Sequence, residues 1–111
     1  MSEKKELMSD AFQVFMREAP QHAQAWMTAV RSLDAASALD KKTERLAYLA
    51  VLSALGLESG IPFHAAQAKE AGASREEVIS ALLVGLPAAG TIVTRSLPAA
   101  IRAYDSAEDG G

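Results

Sequence analysis

The chain has 111 residues, half of them hydrophobic but only 5% aromatic, with 23 alanines and a net charge of −3, so it fits one domain with one small core and carries no electrostatic footprint for nucleic acid or an anionic membrane. Alanine-rich apolar content with few β-branched runs argues for closely packed helices and against sheet. The complete absence of cysteine excludes disulfides, thiolate metal sites and thiol redox chemistry, and leaves the compartment open. The opening residues, Met1 to Leu7, are charged and lack an apolar core, so no signal peptide is expected and the cytoplasm is the default location.

In chain order, Leu7, Ala11, Phe12, Phe15 and Met16 recur at helical spacing and predict an amphipathic helix over 3–18. Pro20 fits the first turn of a second helix, where its missing N–H removes a donor that has no partner anyway. This helix runs to about Leu33 and presents Ala23, Trp26, Met27 and Val30. The aromatic and methionine set of both helices (Phe12, Phe15, Met16, Trp26, Met27) reads as core. A connection follows over Asp34 to Ala38. Asp40 is then a good N-cap for a helix over 41–55, and Gly56 is its stop.

Residues 46–55 carry only the hydroxyls of Tyr48 and Ser53 to interrupt an apolar surface, and residues 78–93 are similar. A helix apolar on all sides must be surrounded by protein, and two of them exceed what so short a chain can enclose. Self-association is the economical explanation. A membrane span over 78–93 is disfavoured, because the segment is shorter than the roughly 20 residues needed and is broken by Ser80, Gly85, Pro87 and Gly90.

A short helix is expected from Ile61 to Ala71, ending at Gly72. Ser74 and Glu77 then form a capping box at the start of a last helical stretch, roughly 75–105, that Pro87 and Pro98 should break or kink. The expected domain is 1–104, and 105–111 reads as a small, acidic, disordered tail.

The segment Lys42-Thr-Glu-Arg-Leu46, the apolar helix after it, Gly56, His64, Ala68, the run Ala71-Gly72-Ala73-Ser74 and Glu76-Glu77-Val78 together resemble the carboxymuconolactone decarboxylase family. That family shares the alkylhydroperoxidase D-like fold. The resemblance covers roughly residues 12–104 and implies a small all-α protein of five to seven helices that assembles as a homo-oligomer, with trimer or hexamer favoured. The residues themselves show no metal-ligand cluster, phosphate loop or Ser/His/Asp constellation, and no cofactor or metal is expected. The peroxidase branch of the fold has Cys-x-x-Cys four residues ahead of a histidine, and those positions are Leu57 and Gly60 here. A glutamate nineteen residues ahead of the histidine is replaced by Arg45. Glu44 precedes it by one place, which is a rotation of about 100° on a helix. Of the family's thiol and acid–base groups, His64 alone stays in register.

Three candidate site residues follow. His64 is either a packed, hydrogen-bonded histidine in the first turn of a helix or a proton-transfer group titrating near neutrality. Glu58 is either an exposed loop acid or a group that orients the imidazole or binds a cation. Arg45 is either a solvated helix-start arginine or a bidentate clamp for a substrate carboxylate. His22, Gln67 and Lys69 read as surface polar residues.

Two functions stay open. One is a cofactor-free decarboxylase or related lyase acting on a small carboxylated lactone. The other is a non-catalytic helical oligomer, a small-ligand binder or scaffold that has lost the thiol site. A thiol peroxidase requires a thiolate and is rejected.

Overall fold

The computed structural model describes residues 7–107. Among them the chain forms seven α-helices with both ends defined, two 3-10 segments and no strand. The helices are α1 Asp10–Glu18, α2 Pro20–Ala36, α3 Lys41–Leu55, α4 Ile61–Glu70, α5 Arg75–Leu83, α6 Leu86–Ala89 and α7 Leu97–Ser106. The 3-10 segments are Glu58–Gly60 and Gly90–Ser96. The all-α expectation holds.

Local chemistry sets these limits. The Asp40 carboxylate accepts from the Thr43 N–H at 2.8 Å and starts α3, satisfying one of the donors a helix N-terminus leaves unpaired. Ser74 and Glu77 close the expected capping box: the Ser74 Oγ accepts from the Glu77 N–H at 3.0 Å, and the Glu77 carboxylate accepts from the Ser74 N–H at 2.8 Å. Gly56 ends α3 at φ 73°, a left-handed conformation that costs a glycine little. A Cβ there would also meet Ile92 Cδ1 at 3.1 Å.

Three boundaries differ from the sequence reading. The helix expected over 3–18 is interrupted at Met8–Ser9, where Ser9 turns extended (ψ 149°) and its Oγ caps Phe12 N–H at 3.2 Å; residues 3–6 lie outside the described set. A serine side chain competes for backbone donors and favours exactly one place in a helix, its start. Helix α2 runs on to Ala36, past the expected end at Leu33, so the first part of the expected connection Asp34 to Ala38 is helical. The last helical stretch is divided next to Pro87 and Pro98 as expected, each proline sitting in the first turn of a new helix, α6 and α7, where a ring nitrogen is tolerated. The last helix reaches Ser106, so Asp105 and Ser106 belong to it, while 108–111 of the expected tail lie outside the described residues.

The core lies between α3, α4, α5 and α7. Leu49 and Leu52 of α3 meet Ile61, Ala65 and Ala68 of α4, Val78 and Leu82 of α5, and Ala100 and Ala103 of α7. Leu49, Ile61 and Leu82 are fully buried, and each such side chain contributes about 1.5–3 kcal/mol of apolar transfer. The alanines on α4 and α7 let those two helices approach closely. The stretch Arg75–Ser106 is long and apolar enough to cross a membrane by length and composition. It is not one rod, however: α5 and α7 fold back to pack on each other.

The hairpin α1–α2 is different. Its helices pack mainly on one another, and of its residues only Ala23 is buried. The set Phe12, Phe15, Met16, Trp26 and Met27 is therefore not the core of this chain. Trp26 is 54% exposed and, with Phe12, Phe15, His22, Ala25 and Ala29, lines an open groove of about 540 Å³. Helical periodicity locates an apolar face correctly but does not say what covers it.

Two buried serines behave in opposite ways. Ser53 Oγ donates to the Val93 carbonyl at 3.0 Å and ties α3 to the second 3-10 segment, whereas the Ser96 Oγ, equally buried, has no hydrogen-bond partner among the described residues. Ser53→Ala is expected to lower the unfolding free energy by about 1–2 kcal/mol, and Ser96→Ala to leave it unchanged or raise it by up to about 1 kcal/mol. Urea denaturation of the two variants checks this, and equal losses would contradict it.

Candidate functional site

His64 stands in the first turn of α4, and three neighbours define its surroundings. The ring of Tyr48, on α3, lies 4.6 Å from the imidazole at 57°, and the ring of Phe63 meets it edge-on at 5.3 Å. Gly60, at the N-cap of α4, completes this wall without a side chain. A Cβ there would lie 3.4 Å from Leu52 Cδ1 and 3.7 Å from His64 Cδ2. The second of the two positions where the peroxidase branch has cysteine thus adjoins the imidazole, and here it holds only glycine.

This setting keeps His64 neutral. Burial among aromatic rings and then the Arg45 guanidinium disfavour a positive charge on the imidazole, while Gln67 favours it; the balance pushes the imidazole down to about 4. The positive end of the α4 dipole acts in the same direction as Arg45. At pH 7 His64 therefore has one N–H and one free lone pair.

Of the candidate site residues, Arg45 and His64 are brought within electrostatic reach of each other. Arg45 is half-buried in the first turns of α3 and makes no ion pair among the described residues. Glu58 is placed otherwise: its carboxylate is 3.0 Å from Arg95 Nη2, and it is not among the groups acting on the imidazole. Sequence reading could not have anticipated this, because Arg95 is 37 residues away along the chain. Glu44 does not replace the glutamate that the resemblance expects. Its carboxyl faces Asp34 at the end of α2, and that second acid raises its pKa, with Ser37 acting against the rise.

Two residues read as plain surface polars have defined roles. Gln67 is half-buried one turn beyond His64 and favours its charged form; the spacing of three residues on a helix was the available signal. Lys69 Nζ donates to the carbonyls of Tyr104 and Ala107, both at 3.0 Å, and closes the C-terminus of α7. Tyr104 Oη donates to the Ala73 carbonyl at 2.8 Å, and Arg75 grips Asp105 through two bonds at 2.9 and 3.2 Å. These contacts fix the far end of the histidine helix. His22 is exposed on the rim of the α1–α2 groove. A second open groove, lined by Leu46, Glu76, Glu77, Ser80, Ala81 and Val84, lies between α3 and α5; His64 lines neither groove.

An all-helical fold over the described residues, with an aromatic-flanked histidine at the start of a short helix and no cysteine anywhere in the chain, defines a small cysteine-free helical domain. The model of the carboxymuconolactone decarboxylase family matches residues 20–103. The chain belongs to that family. Neither the curated proteins nor the solved structures gave a match.

Proposed function

We propose that the protein is a cofactor-free decarboxylase or related lyase acting on a small carboxylated lactone, with His64 as the proton-transfer group and Arg45 as the carboxylate anchor. The observation that carries this reading is a half-buried guanidinium, without an ion pair among the described residues, within electrostatic reach of an imidazole held neutral. Burial is the main effect that keeps His64 neutral and Arg45 the second; a substrate carboxylate bound to Arg45 offsets its charge and adds a negative charge that favours the imidazolium, so the imidazole takes a proton from solvent as substrate binds. The bond from the ring to the carboxylate then breaks, its electron pair moves into the unsaturated lactone carbonyl, and CO₂ leaves. The imidazolium gives its proton to carbon and returns to the neutral state. The contribution of such a group is typically ~10²–10⁴-fold.

The test is CO₂ release and loss of lactone absorbance with purified protein and a set of carboxylated lactones. Arg45→Gln is expected to raise KM by ~10–100-fold, the value of one charged hydrogen-bonded contact. Unchanged KM would remove Arg45 from the site.

The alternative, a non-catalytic oligomer that binds a small ligand or acts as a scaffold, is favoured by one observation: Glu58 is engaged by Arg95 and leaves the imidazole without a carboxylate. Calorimetric binding of a carboxylated lactone without turnover would select it.

In either case we propose a homo-oligomer, trimer or hexamer, in the cytoplasm. Support comes from the apolar side chains left on the surface of one chain, among them Trp26, Leu55 at 64% and Val84 at 69% exposure, an amount unusual for a monomer. Sedimentation at micromolar concentration is expected to give a multiple of 11.7 kDa, and a species of that single mass would overturn the assembly.

A further inference from the structure

We infer that Tyr48 is a further substrate-contacting residue: from its place beside the imidazole its phenol O–H donates a hydrogen bond to the ring carbonyl of a carboxylated lactone and stabilises the negative charge that collects on that oxygen as CO₂ leaves. The inference rests on the proposed reaction and adds to it the group that meets the displaced electron pair.

Two placements bring Tyr48 to the site. On α3 it lies three residues after Arg45, and residues so spaced share a face of a helix. Across the contact between α3 and α4 its ring lies 4.6 Å from that of His64, tilted by 57°, and the Phe63 ring meets the same imidazole edge-on at 5.3 Å. Arg45 and His64 are half-buried and Tyr48 is 48% exposed, so a guanidinium, a phenol and an imidazole come to the surface where α3 passes the start of α4. The phenol oxygen lies less than a ring width from a point 4.6 Å off the imidazole, a span that one small lactone ring bridges. The two tyrosines of the chain differ in what their hydroxyls do. Tyr104 Oη donates to the Ala73 carbonyl at 2.8 Å and is a structural tie, whereas the Tyr48 hydroxyl bonds to no described residue and is left for water or a ligand. Next along the exposed side of α3 come Val51 and Leu55, whose side chains have no hydrogen to donate to an oxygen.

The chemistry needs such a donor. When the bond from the ring to the carboxylate breaks, its electron pair passes through the unsaturation to the lactone carbonyl, whose oxygen becomes an enolate. A hydrogen bond aimed at that oxygen strengthens as the charge builds. The phenol keeps its proton throughout, and carbon receives one from the imidazolium. Arg45 thus binds the carboxylate, Tyr48 the carbonyl oxygen, and His64 serves the carbon between them.

The experiment compares two ligands and two proteins. Calorimetry with the full chain, as wild type and as Tyr48→Phe, measures binding of a saturated γ-butyrolactone carboxylate and of the matching tetrahydrofuran carboxylate, which lacks the ring carbonyl. Decarboxylation of an unsaturated lactone acid and the nitrogen-15 NMR titration of His64 are followed in parallel. Wild type is expected to prefer the lactone acid by ~3–10-fold, the equilibrium value of one ordinary hydrogen bond. Tyr48→Phe should lose that preference and bind the ether acid as wild type does. Its kcat should fall by ~10–100-fold, less than the ~10²–10³-fold of an enclosed oxyanion donor because Tyr48 is half-exposed. The His64 midpoint should be the same in both proteins, because phenylalanine keeps a ring against the imidazole. A wild type that binds neither acid or both alike, or a preference that survives in Tyr48→Phe, would overturn the inference. So would a preference lost together with a shifted His64 midpoint, which traces the loss to a displaced imidazole. A Tyr48-dependent preference in a protein with no lactone turnover would uphold the contact and reject the proposed reaction, so the two failures are separable.

Discussion

His64→Gln is expected to lower turnover of a carboxylated lactone by ~10²–10⁴-fold while leaving the protein folded at pH 7. Glutamine keeps the size and polarity of the side chain between Tyr48 and Phe63 but cannot carry a proton. The same variant has a second signature. His64 titrates near 4 in the folded protein and at 6.5 as an unperturbed group, so below pH 6.5 the unfolded chain binds a proton that the native chain refuses. Stability linked to this residue is fully present above pH 6.5, falls with pH below that, and is lost by about pH 4. Denaturation midpoints of wild type should therefore drop between pH 6.5 and 5, above the range where most carboxylates titrate, and those of His64→Gln should stay flat over that interval. Parallel profiles for the two proteins would mean that the imidazole is not desolvated. Unfolding of His64→Gln at pH 7 would make the histidine a packing residue.

Leu52→Glu is expected to abolish the folded state. Leu52 is 7% exposed, faces Ile61 and Ala65 from α3, and belongs to the central cluster. A glutamate there has no partner, and stranding a charge in such a core costs about 3–5 kcal/mol or more from a total stability of about 5–15 kcal/mol. Circular dichroism of the variant should show helix loss with no cooperative urea transition. A wild-type midpoint would show that α3 turns a different face inward.

Helix limits were legible where a side chain bonds to nearby backbone. Asp40, Gly56 and the Ser74–Glu77 box act within four residues, and all are observed. Ser9 is equally local, but the apolar periodicity running through it hid its role as a start. The face of α3 that turns inward was less legible, because residues 46–55 are apolar on every side; packing against α4 and α5 selects Leu49, Leu52 and Ser53 and leaves Tyr48, Val51 and Leu55 outside. The hairpin α1–α2 was misread for the related reason that a sequence shows an apolar stripe but not its partner. At the site, His64 and Arg45 could be named from pattern. The engagement of Glu58 by Arg95 and of Glu44 with Asp34 depends on how helices distant in sequence are set side by side, and no local pattern encodes that.

The contacts that hold the far end of the histidine helix govern the order in which the protein can fold. Lys69 and Arg75 bond to residues 30–38 positions later, and Tyr104 returns to Ala73 across 31. None of these bonds can form until a long loop has closed, and that closure entropy comes before any reward from the contact. Helix α3 and its Asp40 cap can form early, whereas α4 gains its fixed register only when α7 docks. The imidazole environment is thus among the last features to be completed, and a folding intermediate with native helix content should still titrate His64 as an ordinary, solvated histidine.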